Sequence, residues 1–212
     1  MRVLLVSDIH GNLPALEFVL QLEQSADLVI SIGDVVNYGP WSNECVDLLE
    51  SLTNKVLLKG NHEEIFLAGN YPGENVVAQA FFQHCYPSFD RNEAIAAYQD
   101  EYFMHGYRFV HTINDEYIFP DMEPEIDQSV FIGHSHRLFS KKIGRYILTN
   151  VGSTGQNRTN LDEINYVIWN PETDEIELKR QSFDNSLLIS EMKIRNYPEI
   201  CLDYLLSKRI NK

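Results

Sequence analysis

Val3-Leu4-Leu5-Val6-Ser7-Asp8-Ile9-His10-Gly11-Asn12 opens the chain with an unbroken apolar run that stops at a polar, glycine-containing turn. Four apolar residues in a row, with no alternation, read as a strand buried on both faces. Asn12 stands where a helix N-cap belongs, Pro14 falls in the first turn, and Leu16, Val19 and Leu20 follow at helical spacing. The same grammar continues downstream. Residues 28–32 form a second strand ended by Gly33. Ser42 or Asn43 is placed to cap a helix whose apolar face is Cys45, Leu48, Leu49 and Leu52, and residues 56–58 form a third strand ended by Gly60. Strand, helix, strand, helix, strand predicts parallel pairing through right-handed crossovers.

Residues 63–103 read as mostly helical, with breaks at Tyr71-Pro72-Gly73 and at Pro87. The character then changes. Residues 108–111, 129–132, 145–150, 166–169 and 175–179 are strand candidates, and residues 184–208 return to helix. No repeat, low-complexity tract or linker interrupts the chain. The pattern predicts one α/β (α+β) domain over residues 1–212, a four-layer α/β/β/α sandwich of two packed mixed sheets flanked by helices.

Composition narrows the function classes. A chain of 212 residues hides roughly 70% of its unfolded surface, so 44% hydrophobic content supports a core without disulfides. The formal charge of −14 argues against long nucleic acid and anionic membranes as partners. Cys45, Cys85 and Cys201 are odd in number and lack Cys-x-x-Cys spacing; they read as half-buried core residues. The opening Met1-Arg2-Val3-Leu4-Leu5-Val6 is too short for an export signal, and no apolar run reaches the length of a membrane span. A cytoplasmic protein is expected, and a homo-oligomer is compatible with these features.

Four of the seven histidines fall in four short motifs, Asp8-Ile9-His10, Gly33-Asp34, Gly60-Asn61-His62-Glu63 and Gly133-His134-Ser135-His136, and His111, between the last two, makes a fifth member of the set. Taken singly, each has an ordinary explanation. Gly-Asp is a turn dipeptide, and Gly60-Asn61-His62-Glu63 could start a helix with Asn61 as its cap. Two imidazoles after a buried strand are harder to explain, because each needs partners. Every motif residue except Glu63 lies at or just after the carboxyl end of a strand, the edge where ligands gather in open α/β sheets.

The set, in this order, resembles the calcineurin-like metallophosphoesterases, in particular their small phosphodiesterase branch. The resemblance runs from Arg2 to about Trp169. It is carried by Ser7-Asp8-Ile9-His10-Gly11-Asn12, Gly33-Asp34-Val35-Val36-Asn37-Tyr38-Gly39-Pro40, Gly60-Asn61-His62-Glu63, Val110-His111, Gly133-His134-Ser135-His136 and Asn150-Val151-Gly152-Ser153-Thr154-Gly155-Gln156-Asn157-Arg158. It implies a two-metal site. Asp8, His10 and His136 would hold one ion, Asn61, His111 and His134 the other, and Asp34 would bridge them. His62 would be the leaving-group acid, with Asn37 orienting it.

The donor set agrees. Imidazole and carboxylate without thiolate suit manganese foremost, and also iron, zinc, nickel or cobalt; magnesium and calcium prefer all-oxygen shells. Two such ions activate a bridging hydroxide and stabilise charge on the phosphoryl oxygens. Two divalent ions less Asp8, Asp34 and one hydroxide leave about one positive charge, which favours a phosphodiester over a dianionic monoester.

Two departures bear on substrate. Asn37 and Tyr38 stand where the resembled protein serine/threonine phosphatase branch has Asp and Arg, which lowers the expectation of phosphoprotein hydrolysis. Arg158 either contacts phosphate or ties down its own loop; Asn12 contacts substrate or caps a helix, the cap being favoured. Thr112, Val151 and Asn157 replace residues the family pattern expects. His84 and His105 match no motif and read as surface or packing residues. Phe81, Phe82, Tyr86 and Phe89 read as helix-packing core. The reading is a dinuclear metal-dependent phosphodiesterase acting on a small phosphorylated substrate. The alternatives are a phosphomonoesterase or nucleotide phosphatase, and a non-catalytic scaffold of the same fold, as in the retromer subunit that shares it.

Overall fold

A computed structural model describes residues 1–210. In chain order its first half runs β1 (Val3–Val6), α1 (Leu13–Leu22), β2 (Leu28–Ser31), α2 (Ser42–Ser51), β3 (Lys55–Leu57), α3 (Asn61–Ala68), α4 (Val76–Cys85) and α5 (Asn92–Ala96). The second half is β4 (Glu101–Met104), β5 (Tyr107–Val110), β6 (Ser129–Ile132), β7 (Phe139–Ile143), β8 (Tyr146–Asn150), β9 (Glu163–Asn170), β10 (Glu175–Ser182), α6 (Ser186–Ile194) and α7 (Glu199–Leu206).

Two mixed sheets result. The first has the order β10-β9-β1-β2-β3 and the second β4-β5-β6-β8-β7. β1, β2 and β3 are parallel, with Leu5 opposite Ile30 and Ile30 opposite Val56. β5, β6 and β8 are parallel in the second sheet. The period-2 geometry of a strand splits β1 between two cores. Val3 and Leu5 face the second sheet, meeting Phe109, Phe131 and Trp169, while Leu4 and Val6 face the helices, meeting Leu16, Val19 and Phe66. The outer face of the second sheet is covered by Ile113 and Ile118 of the β5–β6 connection, packed on Val130, Ile132 and Leu148.

The expected packed mixed sheets with flanking helices are present, with local differences. Residues 101–104, at the end of the stretch expected to be helical, form β4. A two-residue turn at His105-Gly106, both at positive φ, folds it onto β5 as a hairpin. β7 has no counterpart in the sequence reading; Lys141 and Lys142 give it the charged look of a loop, which is also how edge strands avoid pairing with other chains. The α2 cap is Trp41, without a side-chain bond. Ser42 Oγ instead accepts the Asn37 N–H at 3.0 Å, and Asn43 bonds the Ser88 carbonyl and the Asp90 N–H. The C-terminal helix is two, broken where Asn196 takes positive φ just before Pro198. All three cysteines are free and fully buried rather than half-buried. His105 is exposed and His84 packs on Tyr197. Phe81, Phe82 and Phe89 are core, with Phe66 at 5.6 Å from Phe82 and 5.0 Å from Phe89. No helix among the described residues is long and apolar enough to cross a membrane.

Phe131 is fully buried between the sheets, 5.0–5.3 Å from the rings of Tyr107, Phe109 and Trp169. Phe131→Ala should cost about 3–5 kcal/mol by urea unfolding. A loss below about 1 kcal/mol would mean that the inter-sheet core is not the main contact between the layers.

Candidate metal centre and cleft

The parallel strands deliver their carboxyl ends to one edge, and the loops that leave them turn at once. Asp8 and His10 follow β1, Asp34 follows β2, Asn61 and His62 open α3 after β3, His111 follows β5, and His134 and His136 follow β6. Their acceptor atoms converge. Asp8, His10 and His136 form one buried group and Asp34, His111 and His134 another, each with its atoms within 4.8 Å of one another. Asp34 links the two: its Oδ2 is 3.8 Å from His10 Nε2 and 3.2 Å from His111 Nε2.

Each carboxylate is tied down by one oxygen and presents the other. Asp34 Oδ1 accepts the His62 N–H at 2.9 Å. Asp8 Oδ2 accepts from Ser7 Oγ at 2.7 Å and from the His134 N–H at 3.1 Å, while its Oδ1, 3.1 Å from His136 Nε2, has no hydrogen-bond partner. The imidazoles are held alike. Nδ1 of His10, His111 and His136 meets the backbone carbonyls of Val36, Ile32 and Gln156. A carbonyl only accepts, so each Nδ1 carries the proton and each Nε2 turns to the cluster.

Electrostatics then test the site for cations. Burial lowers the pKa of His10 and His136 well below the ordinary range, so both rings are neutral. With Nδ1 carrying the proton, their Nε2 atoms lie 3.3 Å apart as two acceptors, an arrangement that a cation beside them would relieve. Burial, then His111, lowers His134 to about 3. Burial also opposes charge on His111, but the Asp34 carboxylate beside it, helped by Asp8, raises it to about 10. Burial raises Asp8 to about 7, with His111 opposing and Asp34 adding. Asn61 Oδ1 is a further buried oxygen without a partner. Facing lone pairs, orphaned oxygens and protonated Nδ1 atoms are the donor chemistry of a divalent-metal site.

The remaining expected residues divide. Asn37 Nδ2 is 2.9 Å from His62 Nδ1, and burial lowers the His62 pKa. Tyr38 is 7% exposed, with its ring 4.7 Å from His10 and 5.1 Å from His62. Arg158 lines the same cleft as Tyr38, His62 and His134. It makes no hydrogen bond or ion pair among the described residues, and its guanidinium carbon lies over the Tyr117 ring, 5.6 Å from the centre. Its loop is held by Asn157 instead, whose Oδ1 accepts the Thr159 and Asn160 N–H groups. Asn12 is apart from the cleft. Its Oδ1 caps α1 at Ala15, and its Nδ2 donates to the Gly155 carbonyl and Asn185 Oδ1, both at 2.8 Å, so Asn12 takes the cap role.

The model of the calcineurin-like phosphoesterases matches residues 1–185. The chain belongs to this family. It is 24% identical to the protein MJ0912 of Methanocaldococcus jannaschii, over 93% of this chain and 94% of that one. It is 26% identical to the phosphodiesterase YfcE of Escherichia coli, over 72% of this chain and 79% of that one. Its fold superposes on a metallophosphoesterase from Sphaerobacter thermophilus with a TM-score of 0.79 at 23% identity, over 98% of this chain and 99% of that one.

Glu63 is the main residue the sequence reading left out. Fully buried, it accepts the Asp34 and Gly60 N–H groups on Oε2 at 2.8 and 2.7 Å, and those of Val35 and Val36 on Oε1 at 2.8 and 3.1 Å. Burial, with Asp34 nearby, pushes its pKa up to about 7, and the N–H donors pull it back. Its position in the first turn of α3 was the only signal, and that signal says cap rather than brace. Tyr117, stacked on His134 with ring centroids 4.0 Å apart, carried no motif at all.

Glu63→Gln keeps the shape but turns an NH2 group toward N–H groups that need an acceptor. Two buried donors left unpaired should cost roughly 2–6 kcal/mol in urea unfolding. Metal retained after gel filtration should fall with it. A variant as stable as the parent would show that the loop after β2 keeps its shape by other means.

Proposed function

We propose that this protein is a dinuclear metal-dependent phosphoesterase that hydrolyses phosphodiesters. Asp8, His10 and His136 would hold one divalent transition-metal ion, manganese foremost, Asn61, His111 and His134 the second, and Asp34 both. The observation that carries this reading is the pair of neutral His10 and His136 lone pairs facing each other at 3.3 Å, beside an Asp34 oxygen shared with His111. When bound, such ions supply Lewis acidity to the phosphoryl oxygens and make water nucleophilic near neutral pH.

The chain's own residues account for the rest. His62 lines the cleft and is positioned by Asn37 to give a proton to the departing oxygen. Arg158, a guanidinium without an internal anion, is free to pair with a phosphate oxygen. Tyr38 lines the cleft as a neutral phenol, because burial raises its pKa. The retention of His62 beside a full ligand set weighs against a non-catalytic scaffold. The name of the YfcE relative supports diesters. The unpaired charge of Arg158 favours the second reading, a phosphomonoesterase or nucleotide phosphatase, because it adds a positive charge that a dianionic phosphate would use. The small substrate and the cytoplasmic location remain part of the proposal.

Metal analysis of protein purified without chelator should find divalent transition metal, and bis-p-nitrophenyl phosphate should turn over faster in manganese than p-nitrophenyl phosphate. The reverse order would select the monoester reading; no metal and no turnover on either would leave the scaffold. His62→Asn should cut turnover by about 10²–10⁴-fold with metal content retained. Full activity in that variant would remove His62 from proton transfer.

A further inference from the structure

The cleft beside the clustered imidazoles has a volume of about 540 Å³. That is within the roughly 300–1,000 Å³ of small-molecule sites and far more than one phosphate fills. Its walls are rich in one residue type. Tyr38 comes from the β2–α2 loop, Tyr71 from the α3–α4 loop, Tyr117 from the β5–β6 connection and Tyr204 from α7, and all four line it.

Among the described residues their hydroxyls are free, as is that of the buried Tyr98, but unlike those of three other tyrosines. The hydroxyls of Tyr107, Tyr166 and Tyr197 are engaged by Asp174, Glu23 and Cys85. No hydrogen bond engages the hydroxyl of any of the four cleft tyrosines among the described residues. Tyr117 differs most. It belongs to none of the apolar clusters, is 45% exposed, and lies nearly parallel to His134 at an interplanar angle of 24°. A half-exposed ring braced flat on a buried imidazole, with the Arg158 guanidinium 5.6 Å from its centre, is a stacking platform rather than a piece of core.

His62 lines the same cleft, so the group that leaves with its proton has to lie there. Phosphate beside the imidazoles and Arg158 fills only part of that volume, and the departing group shares the rest with the ring of Tyr117, which lies against His134. Glu64 and Asp115 also line it. Both are exposed, and their charge at the wall disfavours a second phosphate and suits hydroxyl or amino donors.

We infer that this cleft seats a flat aromatic ring carried by the substrate's leaving group, and that Tyr71 and Tyr117 are specificity-determining residues that stack on it. The substrate is then a nucleoside-bearing or aryl-bearing phosphoester. The inference rests on the phosphoesterase reading for the phosphate and adds the ring. Stacking of this kind accepts any base or arene, because each has a π-face, so it selects a ring without naming one.

The test is calorimetric binding to the full-length, manganese-loaded protein with phosphonates, whose carbon–phosphorus bond is not an ester. One pair is phenylphosphonate against methylphosphonate. The other is the methylenephosphonate analogue of adenosine monophosphate against its base-free ribose counterpart. The ring-bearing member of at least one pair should bind about 5- to 150-fold tighter, the span of one base–aromatic stack. A gain in the first pair alone assigns an aryl group, in the second alone a nucleobase, and in both a ring of either kind. Tyr117→Leu and Tyr71→Leu keep apolar bulk and remove the flat face, so each should shrink the ratio toward one. No gain in either pair overturns the inference, as does a ratio that survives both variants. Ring preference without hydrolysis of any ester would instead sink the catalytic reading, and hydrolysis without ring preference would sink only this one.

Discussion

The buried carboxylate of Glu63, saturated by four backbone N–H groups, fixes the loop on which the candidate metal centre depends. That loop needs fixing because it is strained. Asp34, Asn37 and Tyr38 all have positive φ, as do Asp8, His10, His134 and His136 in the neighbouring loops. Such conformations cost about 1–3 kcal/mol each for residues other than glycine and persist only where the surroundings over-determine them. Asn, Asp and His tolerate this region better than most residues; Tyr38 does not. The strain has a geometric purpose. A strand that ends in the cleft must turn within one or two residues if its side chains are to point along the sheet edge rather than across it.

The loops also hold one another. The His10 N–H donates to Asp34 O, the Gly11 N–H to Val35 O, the Gly39 N–H to His10 O and the Gly155 N–H to Asp8 O, at 2.8–3.1 Å. These bonds need backbones in near contact. A Cβ on Gly155 would stand 1.7 Å from Ile9 O, and one on Gly60 2.2 Å from Asp34 Oδ1. The glycines beside the motifs are therefore clearances. They let separate loops close into one rigid edge, and a rigid edge is what holds neutral imidazoles lone pair to lone pair. The frame is built against its own electrostatics, and a cation is the group that relieves it. A metal bound there would be coupled to the stability of the edge.

The legible parts of the chain are those where one residue type has one physical job. The double-faced apolar run at β1 and the cap-and-proline start of α1 could be read directly, and so could the spacing of carboxylate and imidazole at strand ends. β4 and β7 could not. Glu101-Tyr102-Phe103-Met104 lies at the end of a helical stretch and becomes a strand only because His105-Gly106 turns it onto β5, while β7 is a charged edge whose pairing is decided by its neighbour β8. Ser42 was misplaced because a hydroxyl at a helix start usually caps it, whereas here the Asn37 N–H claims it. The carbonyls of Ile32, Val36 and Gln156 that orient the imidazoles have no residue-type signature at all. Glu63 has one, but the same letter in the same place serves as an ordinary first-turn acid.

Chemistry and recognition are thus carried by different kinds of structure. The acceptor atoms sit on strand ends, where the sheet sets their spacing and sequence order survives as motif order. The cleft walls come from the α3–α4 loop, the β5–β6 connection, the loop that carries Arg158 and α7, none of which the sheet constrains. Loops of this kind can change composition without disturbing the frame. Membership of a family therefore fixes the reaction class more firmly than the substrate. In this chain the walls put an unpaired guanidinium and four free phenols around buried imidazoles, inside a protein of net charge −14. Under the proposed function, the overall charge would repel extended polyanions while the local arrangement would take one phosphate, which is the physical basis for expecting a small substrate.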